Sequence, residues 1–477
     1  MKKLKHISYG FLLFAVGATG LTSCKKEKLS PIPQTSLSDA VAFSSPDRIR
    51  QQVFGVYSAA KSGQFLGGRS IVYNEVRGED WLNITNNGVT ALGVWNFSIV
   101  SSDNQTENQW SAGYAAINRA NVVLEGIDAN PTVIPQTLAN QYKAEARFMR
   151  AVSYYYLANL YGRRPFTADN GASLGIPLRL TAAKSNAGTD LVRAPMSEVY
   201  NQIIADLNYA ETNLPLTYGT SADSNLARAH RNSAIAFKTR VYLSMGRYAD
   251  VITEANKIVP TSAPFVAPTG VQHRLMPSIL TPFRTFTSNG NQESIFALPM
   301  SQNSAPGTQN GLASYWNAEF ALNPSGALSL LGASDARRTN FVVAGTNVRY
   351  SKYNDDNNNY VQVMRYSEVL LNLAEALART STTPDVRAIA LLNAVRQRSE
   401  PATVLAPATQ QALIDAILLE RRLEFLSEGL RSLDIMRLNQ TFPAKGSVSA
   451  VPPTSLSYVW PIPASEILYN KLAVQNQ

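Results

Sequence analysis

The chain has 477 residues, 45% hydrophobic and 16% charged, with a formal net charge of +9, enough apolar material for a large core and too much for wholesale disorder. A single cysteine, Cys24, and three histidines, His6, His230 and His273, exclude a disulfide framework and a cysteine-ligated metal site, so no metal or other cofactor is expected. The charge is modest for this length and no basic run follows the N-terminal segment, so no nucleic-acid partner is expected.

Residues 1–23 begin with Lys2, Lys3 and Lys5 and continue in an apolar stretch from Ile7 to Gly20. A basic start before a short apolar run is a secretory signal. The run is shorter than the roughly 20 apolar residues a membrane helix needs. It ends in Leu21-Thr22-Ser23-Cys24, which resembles the lipobox of bacterial lipoproteins, whose cysteine becomes the lipid-bearing first residue. Cys24 is the expected lipid attachment; the alternative is an ordinary signal peptide with a chance cysteine. Loss of the leader with Lys2, Lys3 and Lys5 takes the charge from +9 to +6. Residues 24–38 read as a charged, proline-containing tether.

Beyond the tether the pattern is helical. In 141–162, Ala144, Phe148, Ala151, Val152 and Tyr155 mark one face, and Gly162 and Pro165 stop the helix. In 233–259, Ala234, Phe237 and Val241 mark one helix. Gly246 breaks it, and Tyr248, Ile252, Ala255 and Val259 mark a second. Two short helices around a tight turn are the unit of a tetratricopeptide-type array. Segments 109–128, 196–214 and 365–398 look like degenerate units of the same kind, and 417–438 reads as a further scaffold helix. Segments 62–108, 260–345 and 439–464 are rich in Gly, Asn, Ser, Thr or Pro and read as loops and short hairpins, with a strand-like run at Ser294–Leu298. The fold class is mainly α: an α-α superhelix of tetratricopeptide-like helix pairs decorated with long loops and short β-hairpins.

A family resemblance rests on ordered motifs. They are Trp110 with Tyr114, Ile117 and Asn121; Ala144-Glu-Ala-Arg-Phe148; Leu160-Tyr-Gly162; and Asp335 with Arg337. Arg365 to Glu375, Leu391 to Arg398, Ile417 to Arg431 with Asp434 and Arg437, and Trp460-Pro-Ile-Pro463 with Glu466 follow. In this order, behind a lipobox, they resemble the SusD/RagB family of outer-membrane nutrient-binding lipoproteins. The resemblance implies one domain over 39–477, with an N-terminal helical part at about 39–260 and a C-terminal part at about 261–477. It also implies a surface-exposed, lipid-anchored protein that captures oligosaccharides, or less often peptides, for a SusC-like TonB-dependent transporter, and that is not an enzyme.

The residues admit other chemistry. Glu420, Glu424 and Glu428 fall on one helix face at i, i+4 and i+8, and paired carboxylates suit glycoside hydrolysis. The same segment allows local ion pairs Arg421–Glu424, Glu428–Arg431 and Asp434–Arg437 at i, i+3 spacing, which favours a structural network. Asp355, Asn357 and Asn359 alternate as in a calcium loop but lack its glycine and glutamate. The plainer reading is a hairpin turn between 348–353 and 360–364.

Flat rings beside amides and charges match a sugar's C–H face and hydroxyl rim. Trp110 and Trp460 read as packing residues. Trp81, Trp95 and Trp316 lie in polar stretches and are the expected stacking platforms. Tyr315, Arg77, Asp80, Asn83, Asn96 and Asn317 are the expected partners beside them. The alternative for each tryptophan is to anchor its own loop on the scaffold. Inward packing of all three would favour a helical-repeat adaptor that binds only protein.

Overall fold

The computed structural model describes residues 39–185, 188–219, 224–287 and 290–476. Cys24, the leader and the expected tether lie outside them. Eleven longer helices carry the fold: α1 (Pro46–Ala60), α2 (Arg69–Val76), α3 (Asn104–Ala129), α4 (Gln136–Tyr161), α5 (Met196–Asn213), α6 (Arg231–Ser244), α7 (Tyr248–Ala255), α8 (Tyr366–Thr380), α9 (Val386–Ser399), α10 (Gln410–Glu424) and α11 (Arg431–Arg437). Local chemistry sets several of their ends. Ser45 accepts the Arg48 N–H at the start of α1, where Pro46 takes the first position. Asp385 and Thr409 cap α9 and α10 in the same way. Gly246 adopts φ +70° between α6 and α7, a conformation that costs a residue with a Cβ.

Neighbours in the chain are neighbours in space. α1 packs on α3, α3 on α4, α4 on α5, α5 on α6, α6 on α7, and α7 on α8, which also meets α9 and α10. This is the expected mainly α superhelix of helix pairs. The units differ from expectation in detail. Segments 109–128 and 196–214 are not pairs; each lies in one long helix, α3 or α5, paired through its neighbours. The loop segment 62–108 contains α2, all eight of whose residues are buried.

Short strands clip the insertions together. β1 (Trp81–Asn83) pairs antiparallel with β3 (Phe320–Leu322), Trp81 opposite Leu322. β2 (Ser294–Pro299) pairs with β6 (Tyr360–Arg365), and β4 (Val342–Val343) with β5 (Arg349–Tyr350). The expected hairpin joining 348–353 to 360–364 is therefore absent, because each segment has another partner. The turn between them instead sends Asp356 to cap the Ala313 N–H at 2.7 Å. One apolar core runs from Ala42 to Ile462. A smaller one gathers Ile435, Met436, Phe442, Val451, Tyr458 and Val459, with Phe97 against it.

The expected long helix at 417–438 is broken. α10 ends at Glu424, and Ser427 and Gly429 take φ of +75° and +73° before α11 begins. A Cβ on Gly429 would meet the Ile71 carbonyl oxygen at 2.8 Å, so this turn presses directly on α2. Glu428 consequently leaves the face it was expected to share with Glu420 and Glu424.

Candidate functional site

The two tryptophan-bearing loops do meet, but their rings turn inward. Trp81 and Trp316 are both fully buried and stack on each other at 4.4 Å between centroids. Tyr350 packs edge-on against Trp81, whose Nε1 donates to Glu75 at 3.3 Å. Tyr315 is buried and donates its hydroxyl to the Gln309 carbonyl. Asp80 is buried, pairs with Arg422 at 2.5 Å and accepts the Ala327 N–H at 2.7 Å. The expectation that these four side chains face a ligand is thus corrected. β1–β3 pairing brings their loops together, and two indole faces covering one another remove more apolar surface from water than either loop could alone. Asn83 is half-buried and accepts the Asn86 N–H. Asn317 is exposed and reaches the Tyr353 carbonyl at 3.5 Å. Trp110 and Trp460 pack as expected, both against Tyr161.

Trp95 and Asn96 are placed differently. They line a surface cleft of about 520 Å³ between the loop 86–97 and the segment 447–457. Phe97, Leu92, Asn86, Ser447, Ser449 and Ser457 complete most of its walls. Trp95 is 7% exposed, and its Nε1 is fixed by the Trp81 carbonyl at 2.8 Å. Asn96 accepts from Ser98 through both its backbone N–H and its hydroxyl. Phe97 holds φ +60°, a conformation costing a bulky residue about 1–2 kcal/mol. The opposite wall is a narrow hairpin: Phe442 and Val451 exchange backbone hydrogen bonds, as do Lys445 and Val448. Gly446 sits at its tip against Trp95, where a Cβ would stand 3.5 Å from the ring.

Beneath this cleft lie two cations. Arg77 is buried, donates to the Tyr458 carbonyl, and stacks over Phe442 at 4.5 Å and Phe97 at 5.6 Å. Burial pushes its guanidinium down to about 10. Lys445 is also buried; its Nζ donates to the carbonyls of Val76 and, at 2.9 Å, Gly78, and lies 5.0 Å from the Phe97 centroid. Arg77 thus holds the hairpin wall rather than reaching a ligand directly. The short hairpin falls in the segment 439–464 that was expected to hold one, but neither it nor Phe97 was singled out as lining a site. The available signal was Lys445-Gly446, the only charge between Arg437 and Glu466.

The glutamate pair is unavailable for hydrolysis. Glu420 and Glu424 are each about 2% exposed. Burial pushes the Glu424 carboxyl up, but Arg398, Arg365 and Arg337 overcome that and hold it well below the carboxylate range. A glycosidase acid requires the reverse shift. Arg365 binds Glu293 at 2.5 Å, Glu424 at 2.9 Å and Glu428 at 2.7 Å. Arg337 binds Asp335 and Glu420. Of the three expected local pairs only Asp434–Arg437 forms, at 2.8 Å. Arg421 turns to Asp434, and Arg431 to Glu79.

Comparison with known proteins places the whole chain. A family model described as starch-binding associating with outer membrane matches residues 28–243, and one described as the SusD family matches 272–477. A crystal structure of a SusD superfamily protein from Bacteroides fragilis superposes with a TM-score of 0.80 at 30% identity, covering 91% of this chain and 99% of that one. The chain belongs to the SusD family. SusD-like protein P38 of Formosa agariphila is 24% identical over 539 aligned positions, covering 100% of this chain and 99% of that protein. A structure named as a laminarin-binding SusD-like protein shares the fold at a TM-score of 0.71 and 22% identity, covering 91% of this chain and 99% of that one. Among the described residues of this SusD-family chain, no helix is long and apolar enough to cross a membrane.

Proposed function

We propose that this protein is a lipid-anchored cell-surface receptor that captures oligosaccharides and passes them to a SusC-like TonB-dependent transporter, without breaking a bond itself. The observation that carries the reading is the cleft of Trp95, Asn96 and Phe97 in a chain of this family. An aromatic floor with amides and serine hydroxyls on its rim matches the two faces of a sugar. Trp81, Trp316 and Tyr315 serve it as the packed support behind the loop. Trp95 is buried as well, so the inward packing of all three tryptophans is also what an adaptor binding only protein would have. The family, one of whose models is described as starch-binding, and the polar cleft support sugar capture instead. The lipobox-like run at Cys24 supports the anchor, since several acyl chains on one residue hold a protein to a membrane stably.

Isothermal titration of the mature protein against a glycan panel tests the capture. Phe97→Ala and Asn96→Ala are expected to weaken binding about tenfold each, the loss of a contact worth roughly 1.4 kcal/mol. Binding of peptides, with no glycan bound at millimolar concentration, would replace the sugar reading with peptide capture. For the anchor, Cys24→Ser should move the protein from the membrane to the soluble fraction.

A further inference from the structure

Two positive side chains, Arg77 and Lys445, are buried side by side under the cleft, and among the described residues neither is hydrogen-bonded to a carboxylate. Their nearest acidic neighbours are engaged elsewhere. Glu79 pairs with Arg431 and Arg422, and Asp80 with Arg422, so that foursome sums to zero. Backbone carbonyls, and for Arg77 also the Met436 sulfur, accept the hydrogen bonds of the two side chains without cancelling their charge. A buried charge without a counter-ion is costly to keep. Both cations face the ring of Phe97, and Phe97 lines the cleft. No acidic residue lines it. Glu319 touches the neighbouring loop through Thr85, Asn87 and Thr90 and stays outside the lining.

We infer that the cleft takes a negatively charged oligosaccharide, one bearing carboxylate or sulfate groups, with Arg77 and Lys445 supplying the field and Asn96, Ser447 and Ser449 the direct hydrogen bonds. This rests on the capture reading and narrows its ligand class. A concave site backed by low-dielectric walls focuses such a field, and like-signed charge there selects against wrong partners. Burial, and then Arg77, hold the Lys445 ammonium well below its ordinary pKa, opposed more weakly by Glu79 and Asp80. An anion in the cleft pushes that value back up, so binding takes up protons.

The test is titration of the mature protein with a neutral β-glucan hexasaccharide, a uronic-acid hexasaccharide and a sulfated hexasaccharide, at low and at 0.5 M salt. A charged sugar should bind about tenfold or more tighter than the neutral one at low salt, and the preference should shrink as salt screens it. Ser449→Asp changes an exposed residue and should remove most of that preference while sparing the fold. Lys445→Met should do the same and abolish the proton uptake on binding, read as the dependence of the binding heat on buffer ionisation. Equal or tighter binding of the neutral sugar, or a charge preference untouched by Ser449→Asp, overturns the inference and leaves sugar capture standing. Failure of all three sugars to bind overturns the capture reading itself.

Discussion

Glu75 joins the two ends of the chain at a single carboxylate. It sits on α2, fully enclosed, and accepts the Ser427 N–H at 2.8 Å, the Gly429 N–H at 2.9 Å and the Trp81 indole N–H. Burial, helped by the charge of Asp80, outweighs these donors and lifts its pKa to about 7. A carboxyl whose folded value lies above its unfolded value stabilises the fold fully below the unfolded value, near 4.5, and loses that contribution as pH rises through 7. Each tenfold change in proton affinity corresponds to about 1.4 kcal/mol, so about 3 kcal/mol is at stake across the window. Glu75→Gln removes the titration and leaves the Gly429 N–H facing an amide, a cost of about 1–3 kcal/mol. The stability difference between wild type and variant should be largest near pH 4.5 and shrink towards pH 8, measured by chemical denaturation at each pH. A difference constant with pH would mean that Glu75 is ionised throughout.

Elements whose pattern is local were legible in the sequence, and elements defined by distant partners were not. The break at Gly246, the pair α8–α9 and the strand at Ser294 follow from 3.6-residue periodicity, a glycine and alternation. The break between α10 and α11 does not. It is set by the approach of Gly429 to α2, and it sends Arg421 and Glu428 to partners other than those i, i+3 spacing suggested. The tryptophans failed for the same reason. The polar neighbours of Trp81 describe its surroundings along the chain, while its cover, Trp316, comes from a remote segment. Trp95 and Asn96 were singled out because their loop is polar and carries an aromatic, and both border the cleft; the wall opposite, 442–451, carries no comparable mark beyond Lys445. The ion network between β6, α9 and α10 allows a quantitative check. Arg365 is 2% exposed and serves three carboxylates. Arg365→Met strands those charges and should cost about 3–5 kcal/mol. Arg247→Met at the exposed Arg247–Asp250 pair, where the side chains are 47% and 38% exposed, should cost less than about 1 kcal/mol. Shifts of equal size in denaturant midpoint would contradict the burial argument.

At the scale of the whole molecule, the N-terminal and C-terminal parts complete each other. The apolar core is continuous across them. Arg240 on α6 grips Glu368 on α8 at 2.7 Å, and Trp81 is covered by Trp316. Glu79 and Asp80 find their cations, Arg431 and Arg422, only in the C-terminal part. The cleft has one wall from each part. A fragment of residues 39–260 would therefore expose the indole of Trp81 and the buried face of α6. It would also leave Glu75 without its backbone donors. Those losses include several of the size that unfolds a protein with a typical margin of about 5–15 kcal/mol. We expect 39–260 to lack a cooperative thermal transition, while 39–477 unfolds in one step by both circular dichroism and tryptophan fluorescence. Because each part supplies one wall, a ligand seated in the cleft should raise that single transition as a whole, by about 2.7 kcal/mol at a hundredfold excess over Kd. Two separate transitions in 39–477, with ligand shifting only one, would place the site within one part and deny that the cleft depends on both.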